Sequence, residues 1–169
     1  MRNSRYTLLY IIVLAATILT ACDRQTVYSH YEHTPIAGWE RNDSLSFDIP
    51  ATGAAACLQE EVGLRISGDY PFMAVTLIVE QTVLPGKQAR RDTLVCPLTD
   101  EKGWLTGQGV SQYQYRYALK TVALDKGDSL HVTIRHNMKR EILPGIADVG
   151  FILRTIGATA CDWRPGAGR

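Results

Sequence analysis

The 169-residue chain sets 18 Lys plus Arg against 17 Asp plus Glu, a formal charge of +1, and is 46% hydrophobic and 21% charged. These are the proportions of a folded domain, which excludes a disordered chain. They also exclude a basic protein that holds nucleic acid or an anionic membrane through clustered Lys and Arg.

The chain opens with Arg2 and Arg5 before an apolar run from Leu8 to Leu19, closed by Leu19-Thr20-Ala21-Cys22. The run is too short to span a bilayer, and small residues before a cysteine suit a signal peptidase. Residues 1–21 therefore read as a lipoprotein signal peptide, with Cys22 acylated and left as the first residue of the mature chain. Lipid on that residue would fix the protein in the cell envelope, because two or three acyl chains anchor far more firmly than one. Which membrane holds it is not encoded.

Residues 22–44, with His30, Tyr31, Glu32, His33, Pro35 and Gly38, have no sustained period and read as a lipidated tether. Period-two alternation then begins, the mark of strands with one wet face. Leu45, Phe47 and Ile49 form the first strand and Val62, Leu64 and Ile66 the second. Met73 to Gln81 is the third, and Arg91 to Cys96 the fourth, stopped at Pro97. Tyr115 to Leu124, Leu130 to Arg135, and Val149 to Leu153 complete seven.

Turn chemistry separates them: Ser67-Gly68-Asp69-Tyr70-Pro71, Leu84-Pro85-Gly86-Lys87, Asp100-Glu101-Lys102-Gly103 and Asp125-Lys126-Gly127-Asp128. Asn137 to Leu143 is the one helical candidate, with Asn137 placed to cap and Met138 and Ile142 four apart before Pro144-Gly145. The expectation is an all-β fold, an antiparallel β-sandwich of about seven strands over residues 45–156 with one short helical segment. Residues 157–169, rich in Gly, Ala, Pro and Arg, read as a flexible C-terminal tail.

With Cys22 acylated, Cys57, Cys96 and Cys161 can form one internal bridge at most. A Cys57–Cys96 bridge between strands is one reading, and two small buried thiols is the other.

No motif for nucleophilic, phosphate or zinc chemistry is present. His30 and His33 lack a third ligand in register and read as solvated, and His131 belongs to a wet strand face. His136 ends the same strand, with no Ser or Cys placed to make it a general base. Adjacent Glu60 and Glu61 point to opposite faces of a strand and cannot act as a pair. No metal, cofactor or catalytic residue is assigned. Tyr113, Tyr115 and Tyr117 recur at every second position and put three rings on one face, either a platform for sugars or a partner, or the edge of the core.

Several segments in order resemble one family, the GldH-type gliding-motility lipoproteins of the Bacteroidota envelope. They are Cys22-Asp23, Val27-Tyr28 with Tyr31, Trp39, Leu45 to Asp48, and Asp69-Tyr70-Pro71 leading to Leu77 to Glu80. Asp92-Thr93-Leu94, Cys96-Pro97-Leu98, Gly103-Trp104, Gly107 and Gly109 follow, then Met138, Arg140, Leu143-Pro144-Gly145-Ile146 and Asp148-Val149-Gly150. The resemblance implies a non-enzymatic, membrane-anchored lipoprotein that scaffolds envelope machinery through protein partners, with no catalytic residue to carry over. The alternative from the residues themselves is a glycan-binding envelope lipoprotein that uses the tyrosine face.

Overall fold

The computed structural model describes residues 25–156 and 161–165. The signal segment, Cys22 and the rest of the tail lie outside the described residues. The strands are β1 (Thr26–His33), β2 (Trp39–Glu40), β3 (Leu45–Ile49), β4 (Ala56–Ser67) and β5 (Ala74–Leu84). They continue with β6 (Gln88–Pro97), β7 (Gln112–Leu124), β8 (Ser129–His136), β9 (Ile142–Leu143) and β10 (Ile146–Thr155). Two four-stranded sheets, ordered β1-β10-β4-β7 and β3-β8-β5-β6, form an antiparallel sandwich, and β2 pairs with β9 beside them. All seven expected strands are present.

The alternation seen in the sequence is the alternation of core and solvent. Val75, Leu77 and Val79 of β5 and Leu130, Val132 and Ile134 of β8 are buried in one sheet. They meet Leu58, Val62, Leu64 and Ile66 of β4 and Val149, Phe151 and Leu153 of β10 from the other. Full burial of each such side chain contributes about 1.5–3 kcal/mol. Phe47 and Phe151 meet across the sheets with ring centroids 6.2 Å apart.

Apart from the β5–β6 hairpin, each connection between the sandwich strands passes from one sheet to the other, and this sorts the loops by end. Segments 34–44, 68–73, 98–111 and 137–145 gather at one end, which carries the longer connections. Segments 50–55, 85–87 and 125–128 gather at the other, where β1 begins and β10 ends.

Three sequence expectations are corrected. The tether expected over residues 22–44 contains β1, which pairs with β10 from Thr26↔Arg154 to His33↔Asp148. Its polar side chains hide the strand because β1 is a sheet edge and its stability comes from that ladder. Tyr31 lies across the outer face, so close to Gly150 and Gly63 that a Cβ at Gly150 would sit 2.6 Å from its ring. The Arg65 guanidinium covers the other side of the ring at 4.4 Å.

The helical segment expected at Asn137 to Leu143 is not a helix. The Asn137 N–H donates to Thr76 O at 2.7 Å and the Met138 sulfur accepts from the Thr76 N–H at 3.5 Å, tying the chain to β5. Ile142 and Leu143 then pair with Glu40 and Trp39. Tertiary pairing outweighs a propensity spread over fewer than two turns.

The tail expected from residue 157 is not all loose. Trp163 makes a parallel bridge with Val122, and its N–H and carbonyl exchange hydrogen bonds with Thr121 O (3.1 Å) and the Ala123 N–H (2.8 Å). Residues 161–165 thus strap the free edge of β7.

Candidate functional site

The strap is fastened covalently. Cys57 of β4 is bonded to Cys161, with 6.0 Å between the Cα atoms, and Cys96 is a free, buried thiol. The Cys57–Cys96 reading is therefore overturned. Cys57 stands near the short-loop end of β4, whereas Cys96 is one residue from the opposite end of β6, and burial pushes its thiol up to about 12. A thiol held neutral in the core packs as a small apolar group and is a poor nucleophile.

The bridge closes a separation of 104 residues. Replacing Cys57 and Cys161 together by Ser is expected to lower stability by about 2–4 kcal/mol. The denaturant midpoint reports it. An unchanged midpoint would show that the strap adds nothing to the fold.

Beneath the strap lies a cluster of charges. Glu60 of β4 points between the sheets with no exposure, beside Gln81 of β5 and Arg90 and Asp92 of β6. Arg90 bonds the Glu60 carboxylate, donates to Gln81 Oε1 at 3.0 Å and approaches Asp92 at 2.6 Å. The Lys120 ammonium of β7 reaches Asp92 at 2.6 Å, and the Trp163 ring covers Arg90 at 4.5 Å. Burial pushes the Glu60 carboxyl up to about 7, outweighing the pull of Arg90.

Glu60 sits at an inward position of β4, between Leu58 and Val62, and Gln81 follows Val75, Leu77 and Val79 on β5. A charged residue on an apolar parity was the signal that could have found the cluster. Enclosed between the sheets, this carboxyl clamps β4 to β6 and has no open path to a solute. Glu61 takes the opposite face of β4, as expected for neighbours in a strand.

The tyrosine row faces inward. Tyr115 is buried and stacks on Tyr117 with ring centroids 6.1 Å apart and 7° between planes. Its hydroxyl donates to Leu98 O at 2.7 Å, the Tyr117 hydroxyl donates to Pro97 O, and Tyr113 packs on the core. Of the two readings of this row, the core edge is the one the geometry supports. Tyr115, buried and with one face against Tyr117, offers no open ring for a sugar to stack on. A polar cleft of about 600 Å³ remains beside it, lined by Thr106, Gly107, Gln108, Gln114, Tyr115 and Arg116.

The histidines divide by position. His30 meets Glu32 at 2.8 Å and His33 meets Asp148, both in the open, on a strand rather than a tether. His131 meets Asp48 at 2.6 Å on the outer face of the β3–β8 pair. His136 is fully buried, edge-on to Trp39 at 5.3 Å, and its Nε2–H donates to Trp39 O at 3.1 Å. Its Nδ1 accepts from the Met138 N–H at 3.3 Å, the tautomer these two bonds assign, and burial lowers its pKa. It therefore fixes the 137–145 segment as a neutral ring. Trp39 is completely buried and donates its indole N–H to Asp43 O at 3.1 Å. Among the described residues no three His, Cys, Asp or Glu side chains converge on a point that could hold a metal.

The long-loop end is the surface that stands out. Ile36, Met73, Trp104, Val110 and Ile142 are exposed there, Trp104 at 72% and Val110 at 93%. The backbone beneath is firmly held. Asp100 Oδ1 accepts from the Lys102 and Trp104 N–H groups at 2.9 and 2.8 Å, and the Gln108 and Gln114 backbones exchange two hydrogen bonds. The apolar groups are thus presented on ordered loops, a feature that sequence periodicity, blind to loops, did not expose.

Comparison with known proteins adds the following. The family described as GldH lipoprotein matches residues 26–153. The gliding motility lipoprotein GldH of Flavobacterium johnsoniae is 30% identical over 148 residues, covering 83% of this chain and 92% of that protein. Two solved structures are loosely similar. One is a family GH115 4-O-methyl-α-glucuronidase with specificity for decorated arabinogalactans, at TM-score 0.43 and 13% identity, covering 80% of this chain and 18% of that one. The other is Eiger TNF from S. frugiperda, at TM-score 0.30 and 11% identity, covering 83% of this chain and 98% of that one.

Proposed function

Because the chain belongs to the GldH lipoprotein family, we propose that it is a non-enzymatic, lipid-anchored component of the cell envelope that holds protein partners of the envelope machinery. Cys22 carries the lipid, and the sandwich is the rigid body between the lipid and the partner. The observation that carries the partner half is the set of exposed apolar side chains, Ile36, Met73, Trp104, Val110 and Ile142, on loops gathered at one end. Large apolar groups concentrated on one surface mark association sites.

The test is a photo-crosslinking amino acid placed at Trp104 or Val110 in living cells, with Thr93 on the outer face of β6 as the comparison position. The expected result is discrete crosslinked envelope proteins from positions 104 and 110 and none from 93. Equal crosslinking from all three positions, or none from any, would count against a partner surface at this end. Binding of glycan in place of protein by the purified domain would overturn the scaffold reading.

A further inference from the structure

Only a short stretch of chain separates Cys22 from the fold. β1 begins at Thr26, four residues after Cys22. Fully extended, that stretch reaches about 14 Å at ~3.5 Å per residue. The chain enters the sandwich at its short-loop end, because Thr26 pairs with Arg154 near the end of β10 and Thr155 pairs with Leu58 at the start of β4. Whatever holds Cys22 holds this end.

The same end has an unusual surface. From Ile49 to Leu58 the chain has no charged residue, and Pro50, Ala51, Ala54 and Ala55 are exposed. Elsewhere the turns carry Asp, Glu and Lys. The stretch is rigidly seated: the Thr52 N–H donates to Asp128 O at 2.9 Å, the Gly127 N–H to Thr52 O at 2.9 Å, and the Thr52 hydroxyl to Asp125 O at 2.6 Å. Between it and β1 opens an apolar pocket of about 280 Å³, lined by Val27, Tyr28, Pro50, Ala54, Leu58 and Leu153. Val27 at its mouth is 54% exposed, and Leu84 is exposed at the end of β5. Lys87 and Lys126 stand exposed at this end, where their long stems can carry the ammonium groups to headgroup phosphates, alongside Asp125 and Asp128.

We propose that the short-loop end is a membrane seat. The 50–55 segment rests on the leaflet that holds the lipid of Cys22, and the pocket beside Val27 receives an acyl chain of that leaflet. The occupant is a lipid surface because the link is too short to lift this end away from one, and because the loop nearest the link is the uncharged one. The long-loop end then faces away from the membrane. The inference rests on the anchor at Cys22 proposed above.

The experiment uses the acylated protein purified from cells and reconstituted into phosphatidylethanolamine–phosphatidylglycerol vesicles. An environment-sensitive fluorophore is placed on Ala54→Cys, with Ala51→Cys as a second position and Lys102→Cys at the opposite end. Cys96 is buried and Cys57 is bonded to Cys161, so they do not compete for the label. Co-sedimentation with the vesicles, together with a blue shift and quenching by doxyl-lipids at 54 and 51 but not at 102, is the expected outcome. Co-sedimentation with labels at 54 and 51 quenched no more than at 102 would overturn the seat while leaving the anchor intact. Failure to co-sediment would overturn the anchor, and the seat with it.

Discussion

Cys22→Ser is expected to block both acylation and removal of the segment before it. The serine hydroxyl cannot take the thioether-linked lipid, so the 21-residue segment before it should stay attached and the protein should accumulate as precursor. Each buried methylene of an acyl chain contributes about 0.8 kcal/mol to membrane binding, and two chains make it effectively permanent. An intact mass that retains residues 1–21 and lacks the lipid is therefore expected. The same variant should lose the crosslinks from positions 104 and 110, since a partner on the envelope is met only by a protein held there. A Cys22→Ser protein with the wild-type mass and wild-type detergent partitioning would refute the assignment.

Arg90→Ala is the substitution expected to cost the fold most, about 3–5 kcal/mol. It removes the cation from a buried cluster and leaves the carboxylates of Glu60 and Asp92 facing each other with Lys120 alone. It also removes the platform on which Trp163 rests, so the strap should loosen. Part of the loss depends on pH. With burial raising the Glu60 carboxyl to about 7 from an ordinary 4.5, the folded protein binds this proton more tightly than the unfolded chain. The stability tied to that proton is fully present below pH 4.5 and is lost as pH rises towards and through 7.

His136 runs the other way. Its pKa is lowered by burial, so its contribution is present above pH 6.5 and is lost as pH falls. Denaturant midpoints measured from pH 5 to 8 separate the two. Glu60→Gln should flatten the decline towards pH 8, and Arg90→Ala should be most damaged at pH 8 and partly recovered near pH 5. An alkaline decline that persists unchanged in Glu60→Gln would place its origin outside this carboxyl.

The strands that the sequence displayed are those whose two faces differ. In β3 one parity is uniformly apolar, and in β5 and β8 it is interrupted only by Gln81 and His136, so the alternation is a property of the residues themselves. β1 was not legible because it lies at a sheet edge with polar side chains on both faces, and its strand ladder is with β10, more than a hundred residues away. The Tyr31 ring on Gly63 and Gly150 is equally invisible from any one segment, since it requires three strands in register.

The candidate sites follow the same division. Period-two spacing put Tyr113, Tyr115 and Tyr117 on one face but could not say which, and the answer depends on where Pro97 and Leu98 offer their carbonyls. The choice of Cys161 over Cys96 as partner for Cys57 is set by which ends of β4 and β6 the sandwich brings near the C-terminal strap. Glu60 carried a signal in its inward parity, but its partners come from two strands of the other sheet.

By itself, then, the sequence determined the all-β architecture, seven of its strands and the family, because these rest on local periodicity and on residue order. Only the tertiary structure decided the edge strand, the disulfide, the buried charge cluster and the polarity of the two ends. Each of these depends on distant segments meeting, and a chain read one window at a time carries no distances between them.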